Sequence, residues 1–381
     1  MSQGLILETV GVEIEGGNLT RNQVFNGLMQ KYGENYTMRN LIVSRDASVE
    51  SRAVFVGRNG NNSQAILQHS DAGRNLRNGN SETLGFEIIS QPLQINEMEE
   101  MLWKVLNFLS ANGEIESPRA AFHIHVGFPY GLSAIKNALR CAKIFDPVLF
   151  RIAGFGKEYR GKINNSIYAL PVENGPCVTN GQYWYKLLNI NDALKVRTLS
   201  DFWKFYGISS NSSKPEVSRY SPGRYFATNL FSLLLRPTIE FRHFNSTLNP
   251  RYAIASVKLA QGIAEIAMKA NRKLVSTYFT ELSPFREYSI DRYFLLLSQL
   301  QSLQNKIGCD FPLTNDTLDT LYELLQVTPY HDIRRNNVAT HLREYSFSRE
   351  CARVLQRVDT PENSEFIDIH NIRDYRMVEG V

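Results

Sequence analysis

Seven residues in four short segments have the types and spacing of a metal-centred site. Glu13 and Glu15 stand two apart in GVEIE, His123 and His125 in FHIHV, and Glu240 and Arg242 in IEFR, while Glu87 sits between Phe86 and Ile88. In an extended strand, residues i and i+2 face the same side. Each pair therefore shares a face, and Val12, Ile14, Phe122, Ile124, Val126, Ile239 and Phe241 share the opposite, apolar one. If these strands neighbour one another, one sheet carries four carboxylates, two imidazoles and a guanidinium on a single face. Like charges across adjacent strands repel, and burying unpaired carboxylates costs several kcal/mol each. A bound divalent cation removes that cost. A carboxylate-rich set with one or two imidazoles suits Mg²⁺ or Mn²⁺, which take oxygen ligands and often carry phosphate; zinc typically draws more His or Cys. Each pair alone has a plain reading, ExE as the outer side of a half-exposed strand and EFR as a cross-strand salt bridge. Their combination in one chain argues for function.

The elements that must position these groups follow from periodicity. Residues 5–16 read as a strand stopped by Gly16-Gly17, and a helix follows from Arg21 to Tyr32. Residues 39–56 read as one or two strands broken at Arg45-Asp46-Ala47-Ser48, and 57–80 as a long Gly/Asn/Ser/Arg loop. A strand at 84–90 ends before Pro92, and a helix at 95–111 carries Ile95, Met98, Leu102, Val105 and Leu109 on one side, with Gly113 just past its end. A strand at 119–128 and a helix at 133–153, interrupted at Pro147, come next. A second polar stretch fills 207–223, and 225–235 and 238–244 read as strands pairing across Arg236-Pro237. Asn249 and Pro250 mark the start of a helix reaching about Ala270, and 290–308, 315–327 and 335–345 are helical in period. The expected fold class is α+β with an α-rich C-terminal region, divided into residues 1–272 and 273–381. The leucines at 295–297, 300 and 303 read as core rather than interface.

Composition excludes several classes of function. The chain has 381 residues, 43% apolar and 21% charged, an ordinary globular mix. A net charge of +4 with no Lys/Arg run argues against nucleic acid. Four scattered cysteines without a CxxC pair argue against a disulfide framework and for a reducing compartment. No apolar run approaches the roughly 18 residues that cross a bilayer. Glu8, Glu13 and Glu15 interrupt the N-terminal apolar stretch, which lacks the basic start of a signal peptide. The expectation is a cytoplasmic protein with no membrane partner.

The motifs also occur in a familiar order: Gly11-Val12-Glu13-Ile14-Glu15, Asp46-Ala47-Ser48, Glu87-Ile88-Ile89-Ser90-Gln91-Pro92, His123-Ile124-His125-Val126, Arg224-Tyr225, Asn229-Leu230 and Thr238-Ile239-Glu240-Phe241-Arg242. Over roughly residues 8–270 this ordered set resembles the amidoligase family, relatives of the carboxylate–amine ligases glutamine synthetase and glutamate–cysteine ligase. The resemblance implies a curved antiparallel sheet forming an open, glutamine synthetase-like barrel. ATP enters one end, the substrates the other, and Mg²⁺ or Mn²⁺ ions lie between. It implies that ATP phosphorylates a carboxylate and an amine then attacks the acyl phosphate. Carried over, Glu13 and Glu15 bind different ions. Glu87 joins Glu15 nearer the substrates, and His123 and Glu240 join Glu13 at the ion bridging the ATP phosphates. His125 faces phosphate or substrate carboxylate, and Arg242 clamps the transferring phosphoryl group; with Glu240 these are the implied catalytic residues. Arg160 and Arg224 are further phosphate contacts, whereas Arg151 reads as structural. The implied partners are small-molecule or peptide carboxylates and amines, and assembly into oligomers is compatible with the family. Ala47 stands where the family usually has glycine, and Gln91 intrudes before Pro92; neither change removes a ligand.

An acyl phosphate hydrolyses in water, so the polar stretches 57–80 and 207–223 are candidate lids. Three other readings share the same residues: a phosphotransferase with no need of an amine, a binding or structural protein that keeps the scaffold, and a metal-dependent hydrolase. Nucleotide affinity and the requirement for an amine separate them.

Overall fold

The alternating segments assemble into one sheet in the computed structural model, which describes residues 9–45, 84–114, 116, 120–128, 131–155, 169, 172, 176–177, 186–187, 190–204, 226–234, 236–283 and 287–328. Its strands are β1 (Thr9–Thr20), β2 (Leu41–Arg45), β3 (Leu84–Ser90), β4 (Leu93–Gln94), β5 (Ala121–Gly127), β8 (Thr228–Asn229) and β9 (Thr238–Asn245). The order is β2-β3-β1-β5-β9-β8, with β4 beside the start of β1, and every pairing is antiparallel. The sheet is open, with β2 and β8 at its ends. A separate two-residue ladder joins β6 (Pro176–Cys177) to β7 (Lys186–Leu187).

Ten α-helices are described: α1 (Arg21–Tyr32), α2 (Glu34–Asn40), α3 (Ile95–Ala111), α4 (Leu132–Ile152), α5 (Ile190–Lys195), α6 (Leu199–Lys204), α7 (Pro250–Lys269), α8 (Arg272–Tyr278), α9 (Ile290–Ile307) and α10 (Asn315–Val327). The class is thus α+β with an antiparallel sheet. The back of the sheet is the apolar side, where Val10, Val12, Ile14, Phe86, Ile88, Phe122, Ile124, Val126, Ile239 and Phe241 are all buried. Behind the sheet, helix α7 packs against both α3 and α4. Helix α7 is buried on most of its circumference because α9 and α10 cover its other side. Leu296, Leu297, Leu300 and Leu303 of α9 join that core, whereas Leu295 is exposed. Arg151 of α4 ties the layers together by donating to the backbone carbonyls of Leu325 and Thr328. No helix among the described residues is long and apolar enough to cross a membrane.

Several elements differ from the sequence reading, each for a physical reason. Strand β1 runs through Gly16 and Gly17 to Thr20. The Phe86 ring lies over Gly16, where an added Cβ would meet Cζ at 2.2 Å. The buried Glu114 carboxylate takes the N–H groups of Gly17, Asn18 and Leu19. Gly16 admits a crossing ring, and the strand continues past it. The described residues 226–234 do not form a long strand: Thr228–Asn229 is a two-residue strand, Phe226 an isolated bridge, and Leu230–Leu234 a largely buried 3₁₀ turn. A short apolar run is equally compatible with either form. Pro147 lies inside α4 without ending it. Helix α7 begins as its cap requires, Asn249 Oδ1 accepting from the Arg251 N–H. Asp46-Ala47-Ser48, the stretches 57–80 and 207–223, the helix at 335–345, Arg160 and Arg224 lie outside the described residues.

Candidate active site

Strand register brings the sequence motifs together. Glu13 pairs with His123, and Gly11 with His125, across β1 and β5. His125 pairs with Glu240 across β5 and β9, and Asn229 of β8 pairs with Glu240 on its other side. On the other flank of β1, Glu15 pairs with Glu87, which pairs with Ser44 of β2. The front of the sheet therefore carries Glu13, Glu15, Glu87, His123, His125, Glu240 and Arg242, opposite the apolar back.

Within this face one cluster converges. Single ligand atoms of Glu13, His125 and Glu240 lie within 4.8 Å of one another. His125 Nε2 is 3.3 Å from Glu13 Oε1 and 4.0 Å from Glu240 Oε1. Neither contact has hydrogen-bond geometry, so Nε2 is a buried nitrogen without a hydrogen-bond partner. The other ring nitrogen, Nδ1, lies 3.3 Å from Thr238 Oγ1. His123 Nδ1 is 3.0 Å from Glu13 Oε2 and 3.6 Å from Glu240 Oε1, bridging the two carboxylates. Both histidines therefore lie against the Glu13 and Glu240 carboxylates, His125 through Nε2 and His123 through Nδ1. Two carboxylate oxygens and a buried imidazole nitrogen aimed between them form a fitting donor set for a divalent cation such as Mg²⁺ or Mn²⁺.

Glu240 is held most tightly. Asn229 Nδ2 donates to Oε2 at 2.6 Å, and Arg242 donates to Oε1. The guanidinium is largely buried, 12% of its side chain being exposed. Arg236, on the surface, reaches within 3.7 Å of Glu13 Oε1. One row along, Glu15 Oε2 accepts the Ala121 N–H at 2.8 Å, and Glu87 Oε2 accepts from Ser44 Oγ at 3.3 Å.

These contacts set the protonation states. Burial raises the Glu13 carboxyl, and the close approach and charge of His123 and His125 outweigh it, leaving it well below the ordinary carboxylate value. Burial likewise raises Glu240, but Arg242, His125 and His123 bring it lower. Burial disfavours the His125 imidazolium, yet Glu13 and Glu240 more than compensate, so its pKa is raised. The Arg242 pKa is raised as well, Glu240 and Glu13 overcoming its burial. With no ion bound, the two carboxylates favour the protonated form of His125.

Sequence reasoning assigned no role to Asn229, Thr238 or Arg236. The first two stand in motifs it quoted, and their contacts with Glu240 and His125 depend on register. Arg236 is drawn to Glu13 by the turn into β9.

Fold and site together define an α+β scaffold whose sheet presents a carboxylate–imidazole cluster able to hold a divalent cation. A family model described as "putative amidoligase enzyme" matches residues 8–264, more than half of the chain and every residue of this cluster. The chain belongs to the amidoligase family and is an enzyme of ligase type. No curated protein matches it.

Proposed function

We propose that this protein is an ATP-dependent carboxylate–amine ligase that forms an amide bond through an acyl phosphate, on a glutamine synthetase-like sheet. The observation that carries the reading is the converging Glu13, His125 and Glu240 beside the buried Arg242, within a chain of the amidoligase family. A substrate carboxylate oxygen attacks the γ-phosphorus of ATP and ADP leaves; the amine nitrogen then attacks the acyl carbon, phosphate leaves, and the nitrogen loses a proton. Such phosphoryl transfer needs positioning and charge neutralisation above all. Glu13, His125 and Glu240 would hold a divalent cation, which would supply that charge neutralisation.

The chain's own residues do the rest. Arg242, anchored by Glu240, offers a fixed positive group for the oxygens of the transferring phosphoryl, in the planar fork that suits them. Thr238 orients the His125 ring so that Nε2 faces the carboxylates. Asn229 keeps Glu240 from rotating away. The paired Glu15 and Glu87, opposed across β1 and β3, are suited to a second cation or to the positively charged amine of the acceptor. Arg160 and Arg224 are the further phosphate contacts of this reading, and Glu87 and His123 complete its two ligand groups. The substrates are small-molecule or peptide carboxylates and amines.

The test is turnover of Mg-ATP with pooled carboxylates and amines, following ADP and any new amide by mass spectrometry. Amine-dependent amide formation with stoichiometric ADP, abolished in Glu240→Ala, supports the reading. ADP release that is unchanged in Glu240→Ala, or a stable phosphorylated product formed without an amine, refutes it.

A further inference from the structure

Behind the sheet lies a buried polar group that the chemistry above does not use. Asp146, in α4, is 1% exposed. Its carboxylate accepts from three donors: Thr228 Oγ1 at 3.0 Å, His243 Nε2 at 2.9 Å and the Val172 N–H at 3.0 Å. His243 is fully buried, its ring edge-on to Phe150 with centroids 4.7 Å apart. Its Nδ1 has no hydrogen-bond partner, so Nε2, facing the Asp146 carboxylate, is the nitrogen through which the ring is held. A well-packed apolar group would fill such a place at no electrostatic cost.

The positions of the donors give the pair a purpose. Thr228 immediately precedes Asn229, and His243 immediately follows Arg242. On the front of the sheet, Asn229 and Arg242 are the two side chains that hold the Glu240 carboxylate. Adjacent strand residues face opposite sides, so anchoring Thr228 and His243 behind the sheet fixes Asn229 and Arg242 before it. The anchor falls where β9 is irregular. Its pairing with β5 passes from Phe122↔Phe244 to Ile124↔Phe241, giving β9 one extra residue over that step. Such a bulge re-aims side chains: Phe241, His243 and Phe244 all turn into the core while Arg242 stays in front. On its other side this stretch is held to the β8 end by the Arg242 N–H donating to Ala227 O at 2.7 Å.

We propose that Asp146 is a positioning residue of the cation centre: from behind the sheet it fixes the two side chains that orient Glu240. This rests on the reading of Glu13, His125 and Glu240 as ligands of a divalent cation. It is distinct from any contact with substrate, because Asp146 lies on the opposite face.

The test measures Mn²⁺ affinity of the full chain by loss of the free-ion electron paramagnetic resonance signal, with thermal unfolding in parallel and no turnover required. Asp146→Asn weakens Mn²⁺ binding about tenfold, the low end of the range for groups that touch a ligand, since Asp146 acts one contact further out. Thr228→Val, which removes one arm, weakens it about threefold, the value of one hydrogen bond. Glu265→Gln is the control: that buried carboxylate takes the N–H groups of Asp310 and Phe311 in the helical layer, and its loss lowers stability without changing Mn²⁺ affinity. Wild-type affinity in folded Asp146→Asn overturns the proposal, as does equal weakening in Glu265→Gln. If Asp146→Asn fails to fold, Thr228→Val decides by the same comparison with the wild type. A wild-type protein that binds no Mn²⁺ refutes the cation centre itself, whereas binding that Asp146→Asn leaves intact refutes only the positioning role.

Discussion

In the metal-free protein, Glu13 and Glu240 favour a proton on His125 that an incoming cation has to displace. Its Nε2 lies 3.3 Å from Glu13 Oε1, and its pKa is raised above the ordinary histidine value of 6.5 by Glu13 and Glu240 against the opposing effect of burial. The two carboxyls are already ionised at that pH, since both are held below 4.5. Binding below the raised His125 value therefore releases a proton from Nε2, and apparent affinity gains about tenfold per pH unit, or about 1.4 kcal/mol. Above that value the dependence flattens. Isothermal titration with MnCl₂ at about pH 6, in buffers of different ionisation enthalpy, counts the protons directly. The count in wild type exceeds that in His125→Gln by about one, and the affinity of that variant climbs less steeply with pH. Equal proton counts in the two proteins would show that His125 is not a ligand, whatever the affinity.

Three further outcomes follow from the same geometry. Arg242→Lys keeps the charge but loses the planar fork, so ADP formation in the turnover assay falls about a hundredfold, well beyond any change in Mn²⁺ affinity; undiminished turnover would remove Arg242 from the chemistry. In metal-free protein, the depressed Glu13 and Glu240 carboxyls contribute stability that is complete above their unfolded value of 4.5 and lost as pH falls through their lower folded values. A plot of melting temperature against pH between about 5 and 3 is accordingly shallower for Glu13→Gln than for wild type, and parallel curves would contradict the assigned protonation. Gly16→Ala drives a Cβ into the Phe86 ring and costs about 1–3 kcal/mol by urea denaturation, a loss that Phe86→Leu in the same chain partly restores.

Much of the site was legible because its elements are strands with one polar face. GVEIE, FHIHV and IEFR alternate with period two, which put Glu13 with Glu15, His123 with His125 and Glu240 with Arg242 on one side of each strand; that the strands are neighbours came from the structure. The helices from Arg21, Ile95, Pro250 and Asn315 followed from apolar spacing and, at Asn249, a cap. What stayed hidden depends on register and distance. How each histidine meets the carboxylates is set by the β1–β5 pairing and by the extra residue in β9, neither of which leaves a local mark. Glu114 and Asp146 act on partners up to 97 residues away, so nothing beside them in the chain announces their roles. Gly16-Gly17 misled because glycine usually interrupts a strand, whereas here it makes room for an aromatic ring. The apolar run at 230–234 carries no period that separates a strand from a 3₁₀ turn.

Diffraction from crystals soaked in MnCl₂, recorded where manganese scatters anomalously, addresses the cation centre most directly. The expected result is an anomalous peak bounded by Glu13, Glu240 and the Nε2 of His125 on the front of the sheet. Ordered crystals that show manganese only elsewhere, or those three side chains turned apart, would contradict it.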